Sequence, residues 1–324
     1  MKLALLLCVL AACPKSEQKR TVEPSHPHAT EDGGRQLLPG DEAGVTALPA
    51  APPLPVIPFG LPPAPSGVLE AVTPEAVALG ELLFNDPRLG TSNLTCASCH
   101  DPANRYNGVS GRQHAKHDPR TPPQLENLAW NPRAIAAFPA HFSAEMGRDL
   151  ASAATAITLV PGYQPHLARV TAISPAGSDP QAVITRALVG FLLTRYDAGS
   201  SWDDRERSAA TAPSSIANGY RLFIGKARCG TCHTPPMYTD SRDHDTGLAK
   251  PTQTRSLRGV AKRAELFSDG SAHSLDEALT HYTTDHPRTE LVKLNLSSQE
   301  RSDLLAFLDA LTGVVPTALL QPLP

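Results

Sequence analysis

Apolar positions along this chain recur mostly at helical spacing, and the residues flanking them supply helix caps and stops. Val77, Gly80, Leu83 and Phe84 share one face of a segment that Thr73 caps, Pro74 opens and Asp86-Pro87 closes. Asp179-Pro180 opens a second helix, with Val183, Ile184, Ala187, Leu188, Phe191 and Leu192 as its apolar stripe. Pro213 starts a third, with Ile216, Tyr220 and Phe223 on one face. Ser274 with Glu277, and Ser297 with Glu300, read as capping boxes. The last predicted helix carries Leu304, Leu305, Leu308 and Leu311 and stops at Gly313. Residues 132–138 and 147–159 are predicted as short helices around Pro139. No strand run is convincing, so the predicted class is mostly α.

The stretches between these helices divide the chain. Residues 101–131 are polar and broken by Gly108, Gly111, Pro119, Pro122 and Pro123, an irregular loop long enough to wrap a ligand. Residues 197–212 are small and charged and mark the best boundary between an N-terminal unit, 56–205, and a C-terminal unit, 206–324. Residues 14–55 have no period and end in repeated proline and alanine, which reads as a disordered, Pro-rich tether. Ahead of it, Met1-Lys2 and the apolar run Leu3 to Ala12 are too short to span a bilayer and read as an export signal. Leu10-Ala11-Ala12-Cys13 resembles the bacterial lipoprotein box, so residues 1–13 are expected to be a lipoprotein signal with Cys13 acylated. That places the protein on the periplasmic side of a bacterial membrane, held by its lipid alone.

Composition narrows this little. The 324 residues are 41% hydrophobic, enough for buried cores, and the net charge of −3 gives no basic patch for nucleic acid. The cysteines change the picture. Cys96-Ala97-Ser98-Cys99-His100 and Cys229-Gly230-Thr231-Cys232-His233 are both C-x-x-C-H runs, the attachment sequence of c-type haem. Two thiols add to the two vinyl groups of one porphyrin, and the histidine that follows ligates the iron from one face. Two covalent haem c groups are expected, on Cys96 and Cys99 and on Cys229 and Cys232, with His100 and His233 as axial ligands. A Cys₄ or Cys₃His zinc site fits less well, because the pairs lie far apart and each has its own histidine. Two disulfides fit worse, since bonding within C-x-x-C marks redox chemistry. Each half has a helix ending in an aromatic residue, then C-x-x-C-H, then an irregular stretch and further helices. That pattern predicts two tandem cytochrome c-like haem domains.

The order of motifs resembles the bacterial di-haem cytochrome c peroxidase and MauG family. Leu79 to Leu89 is similar to that family's "LGxxLFxDPRLS", Arg120 to Asn127 with Asn131-Pro132 to "RNTPTLLNxAxNP", and Phe267 to Ser271 to "FHDGS". Gly219-Tyr220-Arg221-Leu222-Phe223 leads into the second motif as in the family. The resemblance implies a peroxidatic first haem and an electron-transfer second haem, with a calcium ion between the two domains. It further implies hydrogen peroxide as substrate and a small redox protein, a cytochrome c or a cupredoxin, as electron donor. A di-haem electron-transfer protein and a MauG-like oxidase of a partner protein are the alternative readings.

The chain also departs from the family. The "FWDGR" stretch and the catalytic Glu and Gln after it are missing between Pro132 and Glu145-Met146-Gly147. Glu145 is then the nearest carboxylate for acid–base work, and His114 and His117 lie in the loop that supplies the family's removable distal histidine. Alignment through Ser274 to Leu279 sets Tyr282 at the position of the family's distal methionine, where MauG also has tyrosine, and His281 is the rival ligand. Met237 is expected in the core. Arg120 and Arg258 are candidate partners for haem propionates. Thr121 and Arg255 stand where the calcium site usually has Asn and Pro.

Overall fold

A computed structural model of the chain describes residues 48–70, 72–108, 121–173, 179–208, 211–315 and 323. Helix α1, Pro74–Phe84, begins where Thr73 Oγ1 accepts from the Ala76 N–H. Helix α2, Pro132–Met146, is capped by Asn131 and runs straight through Pro139. The first of the two short helices expected around that proline therefore extends through it to Met146, and the second is α3, Leu150–Thr158. Proline removes one backbone donor, and the alanine-rich sequence around it keeps the helix going until Gly147 turns left-handed at φ 64°.

Helices α4, Gln164–Ala172, and α5, Pro180–Leu193, complete the N-terminal half. Then come α6, Ser201–Ser208, and α7, Ser214–Ile224. Strands β1, Asp243–His244, and β2, Thr252–Gln253, form a two-residue antiparallel pair. Helices α8, Leu275–Thr283, and α9, Ser298–Ala310, follow. Ser297 and Glu300 form the full capping box expected of them. At α8 only half of the box forms: Ser274 Oγ accepts from the Glu277 N–H, but the Glu277 carboxylate turns back to the N–H of His273.

The two halves are built alike. In the first, α1 crosses α5 at Gly80, where a Cβ would lie 2.0 Å from the Ala187 carbonyl oxygen. In the second, α7 crosses α9 at Gly219, where a Cβ would lie 2.0 Å from the Asp303 carbonyl oxygen. Each crossing needs glycine so that the backbones can touch. Leu79, Leu83, Ile157, Tyr163, Ile184 and Leu188 form the first core. Trp202, Phe223, Tyr238, Leu304, Phe307 and Leu311 form the second. Trp202 precedes the boundary expected at residue 205, so α6 packs with the second half even though its sequence is polar.

Loops tie the halves together. Asn127, itself left-handed at φ 58°, donates through Nδ2 to the Asp197 carbonyl and accepts from the Asp197 N–H. The Asp197 carboxylate pairs with Arg105 at 2.6 Å and accepts from the Gly313 N–H. Among the described residues, no helix is long and apolar enough to cross a membrane.

Candidate functional site

Each C-x-x-C-H run winds into one tight turn. In the first, the N–H groups of Cys99 and His100 both donate to the Cys96 carbonyl, at 3.2 and 2.9 Å. In the second, those of Cys232 and His233 donate to the Cys229 carbonyl, at 3.3 and 2.9 Å. Thr95 and Ser98 cap the first turn reciprocally.

The histidines are then held by matching bonds. His100 Nδ1 lies 3.1 Å from the Tyr106 carbonyl oxygen, and His233 Nδ1 lies 3.1 Å from that of Tyr238. A carbonyl only accepts, so Nδ1 carries the hydrogen and Nε2 keeps its lone pair. Both tyrosines turn left-handed to aim these carbonyls, at φ 56° and 53°. Their rings hold that turn in place. Tyr106 packs edge-on against Phe84 and Phe191, and Tyr238 against Phe223 and Phe307. Burial pushes both histidines down to about 4, so each imidazole is neutral at pH 7.

The four cysteines form no disulfide. Burial pushes the Cys96 and Cys229 thiols up to about 12, the opposite of a redox C-x-x-C. Paired reduced thiols beside a neutral histidine with a fixed tautomer fit a covalently held haem at each motif.

A cavity of about 780 Å³ opens beside the first motif, lined by Cys96, Cys99 and His100 on one side. Helix α2 supplies another wall, with Phe138, His141, Phe142 and Glu145. His141 and Glu145 sit one turn apart on the same helix face. The His141 ring centroid is 6.3 Å from that of His100, with the planes at 63°. The charge of Glu145 raises the Cys99 thiol, after burial. The C-terminal half closes the cavity with Met237 and Arg255. Met237 is thus at the cavity rather than in the second core, because the backbone just after it turns left-handed at Tyr238 and sends that ring inward instead. Met146 is buried in the first core.

Arg255 donates from Nη2 to the Thr121 carbonyl at 2.8 Å. Burial and the charge of Arg263 bring its guanidinium down to about 10, and its positive charge also lowers His100.

Near the second motif, burial and then the Cys229 and Cys232 thiols push the Tyr282 phenol well above its usual range. His281 turns elsewhere. Its Nε2 lies 2.7 Å from the Thr246 carbonyl, and its ring stacks on His286 with centroids 4.1 Å apart.

Arg258 is not free for a propionate. It is buried and pairs with both oxygens of Asp203, at 2.8 and 3.0 Å, and it also donates to the carbonyls of Pro236 and Gly60. A fully enclosed guanidinium takes the nearest buried carboxylate. Cys13, His114, His117 and Arg120 lie outside the described residues. Sequence reasoning missed His141, Tyr106 and Tyr238. The spacing of His141 and Glu145 was a usable signal once α2 was known to continue past Pro139. The tyrosine carbonyls left none, because any residue has one.

Comparison with known proteins gives a consistent picture. The family model described as di-haem cytochrome c peroxidase matches residues 74–210. The methylamine utilization protein MauG of Methylorubrum extorquens is 31% identical over 295 residues, covering 78% of this chain and 82% of that one. The cytochrome-c peroxidase IdrP2 of Pseudomonas sp. strain SCT is 25% identical over 315 residues, covering 77% of this chain and 84% of that one. The fold matches a crystal structure of a MauG-like protein associated with microbial copper homeostasis, with a TM-score of 0.66 and 23% identity. That match covers 79% of this chain and 95% of the other.

Proposed function

The chain belongs to the di-haem cytochrome c peroxidase and MauG family, and on that premise we propose that it reduces hydrogen peroxide at the first haem with electrons relayed through the second. The observation that carries this is the repeated turn with its oriented histidine, opening in the first half onto a cavity shared by both halves. When bound, haem supplies an iron centre that passes electrons one at a time and binds small oxygen species. Each peroxide takes two electrons and two protons and leaves as two waters.

The chain's own residues then have separate tasks. Cys96, Cys99, Cys229 and Cys232 would hold the two groups covalently, and His100 and His233 would offer Nε2 to the irons. Tyr106 and Tyr238 fix which nitrogen is offered. Glu145, in the cavity wall, holds or hands on a proton, and His114 and His117 are further candidates for that work. Tyr282 would give the second iron a hard oxygen ligand; its closeness to Cys229 and Cys232 supports this, and the bond of His281 to Thr246 argues against the neighbour.

Where the family implies a calcium ion, Arg255 would supply positive charge instead, its guanidinium donating to the Thr121 carbonyl. Electrons come from a small cytochrome c or cupredoxin. The leader and Cys13 put the protein on the periplasmic side of the membrane, held by lipid.

A second reading, oxidation of a partner protein's side chain, is favoured by the tyrosine beside the second motif and by the identity to MauG. The test uses the mature holoprotein with hydrogen peroxide and a reduced cytochrome c or cupredoxin. Two donor equivalents oxidised per peroxide are expected. Oxidation of a protein partner without donor turnover would select the second reading, and no peroxide reaction at all would leave an electron carrier. Tyr282→Phe should change the spectrum and potential of one haem while both stay attached, and His281→Ala should change neither. The reverse pattern would remove Tyr282 from the assignment.

A further inference from the structure

The wall of the cavity opposite His100 carries an unassigned histidine. We propose that His141 is the second axial ligand of the first haem, closing that iron in the resting protein; this rests on reading Cys96 to His100 as a haem site. Two imidazoles on opposite sides of one metal, with bonds of about 2.0–2.1 Å, hold their centroids about 6 Å apart once ring radii are added. The observed separation is 6.3 Å. Their planes stand at 63°, which trans ligation permits because each ring turns about its own bond. A histidine that only exchanged protons with bound peroxide would need room for two more oxygen atoms and would stand several ångströms further away.

Three further features support the assignment. His100 Nδ1 is held by the Tyr106 carbonyl, so the ligating nitrogen is the one on the far side of the ring. Among the described residues neither nitrogen of His141 has a hydrogen-bond partner, although the residue lines the cavity together with Phe138 and Phe142. The helix that carries it is fixed at both ends: Asn131 caps it, and Phe142 and Met146 are buried in the first core. The ligand is thus delivered by a helix from the segment that lacks the family's acid–base stretch.

The consequence concerns peroxide. With His141 bound, peroxide reaches the first iron only after that ligand leaves, and Glu145, one turn further on, is then the group beside the vacated position.

The test is electron paramagnetic resonance and optical spectroscopy of the fully ferric holoprotein, with haem content measured by mass. Wild type should show two low-spin haems. His141→Ala should keep both haems, turn one of them high-spin, return to low-spin when imidazole is added, and react with peroxide roughly tenfold faster or more. His141→Met provides a second check, because methionine ligation adds a near-infrared band. A high-spin haem in wild type that His141→Ala leaves unchanged would overturn the assignment. So would a low-spin signal that survives His141→Ala and disappears in a His114→Ala, His117→Ala double variant. Protein that carries no haem would overturn the underlying reading instead. Protein with two haems that is inert to peroxide even as His141→Ala would sink peroxide reduction and leave the ligation standing.

Discussion

A single buried carboxyl shows how the interior around the first motif is balanced. Both oxygens of Glu126 accept from Asn107 Nδ2, at 2.9 and 2.7 Å, and the residue is buried. Burial raises it from 4.5 to about 7, against the pull of Arg263 and Arg105. The folded protein therefore holds this proton more tightly than the unfolded chain. Its contribution favours folding at low pH and is lost as pH rises from about 4.5 through 7. Glu126→Gln keeps the shape and removes the titration. Denaturant unfolding at a series of pH values should show a flatter stability profile for the variant, which should gain on wild type by up to about 3 kcal/mol above pH 7. Equal slopes in the two proteins would mean that Glu126 stays ionised in the folded state. Sequence pattern gave no warning of this residue, because Gln124 to Asn127 reads as polar loop and only the fold buries it.

Among the elements, the helix crossings bear most directly on the haem motifs. Gly80 and Gly219 let α1 meet α5 and α7 meet α9 backbone to backbone, and each crossing ends in the phenylalanine that backs a motif's tyrosine. Gly80→Ala or Gly219→Ala would force the helices apart and cost about 1–3 kcal/mol, or more where the backbone cannot shift. Thermal unfolding of the two holoproteins should show both losses, and the haem spectrum should shift in the half that carries the change. Unchanged melting would mean the helices slide without strain. These helices were legible beforehand, because caps, prolines and apolar stripes are local signals. The continuity of α2 through Pro139 was not legible, since a proline stop and a proline within a helix look the same in sequence.

At the scale of the whole molecule, Arg255 links the halves. It lies in the C-terminal half, bonds the Thr121 carbonyl and sets a positive charge near His100. A tethered cation has no need of a metal, so treatment with a calcium chelator should leave the spectra and the stability unchanged. Arg255→Ala should lower the midpoint potential of the first haem, because a nearby positive charge favours the reduced, less positive iron. A shift of about 60 mV would correspond to a tenfold change in that one-electron equilibrium. A chelator-sensitive wild type would restore calcium to the site.

The sequence by itself determined the C-x-x-C-H motif and its duplication, on which the proposed covalent attachment rests. Thiol spacing and the adjoining histidine are fixed within five residues, and helix caps within four, so no long-range contact is needed to read them. Tertiary structure alone decided what faces each motif. His141 meets His100 only because α2 continues past a proline and packs against the first core. Arg258 is consumed by Asp203, and Arg255 reaches Thr121, only because residues far apart in the chain are brought together. Burial, and with it every shifted proton affinity at the site, is set by that packing, since desolvation depends on what surrounds a group in space rather than on its neighbours along the chain.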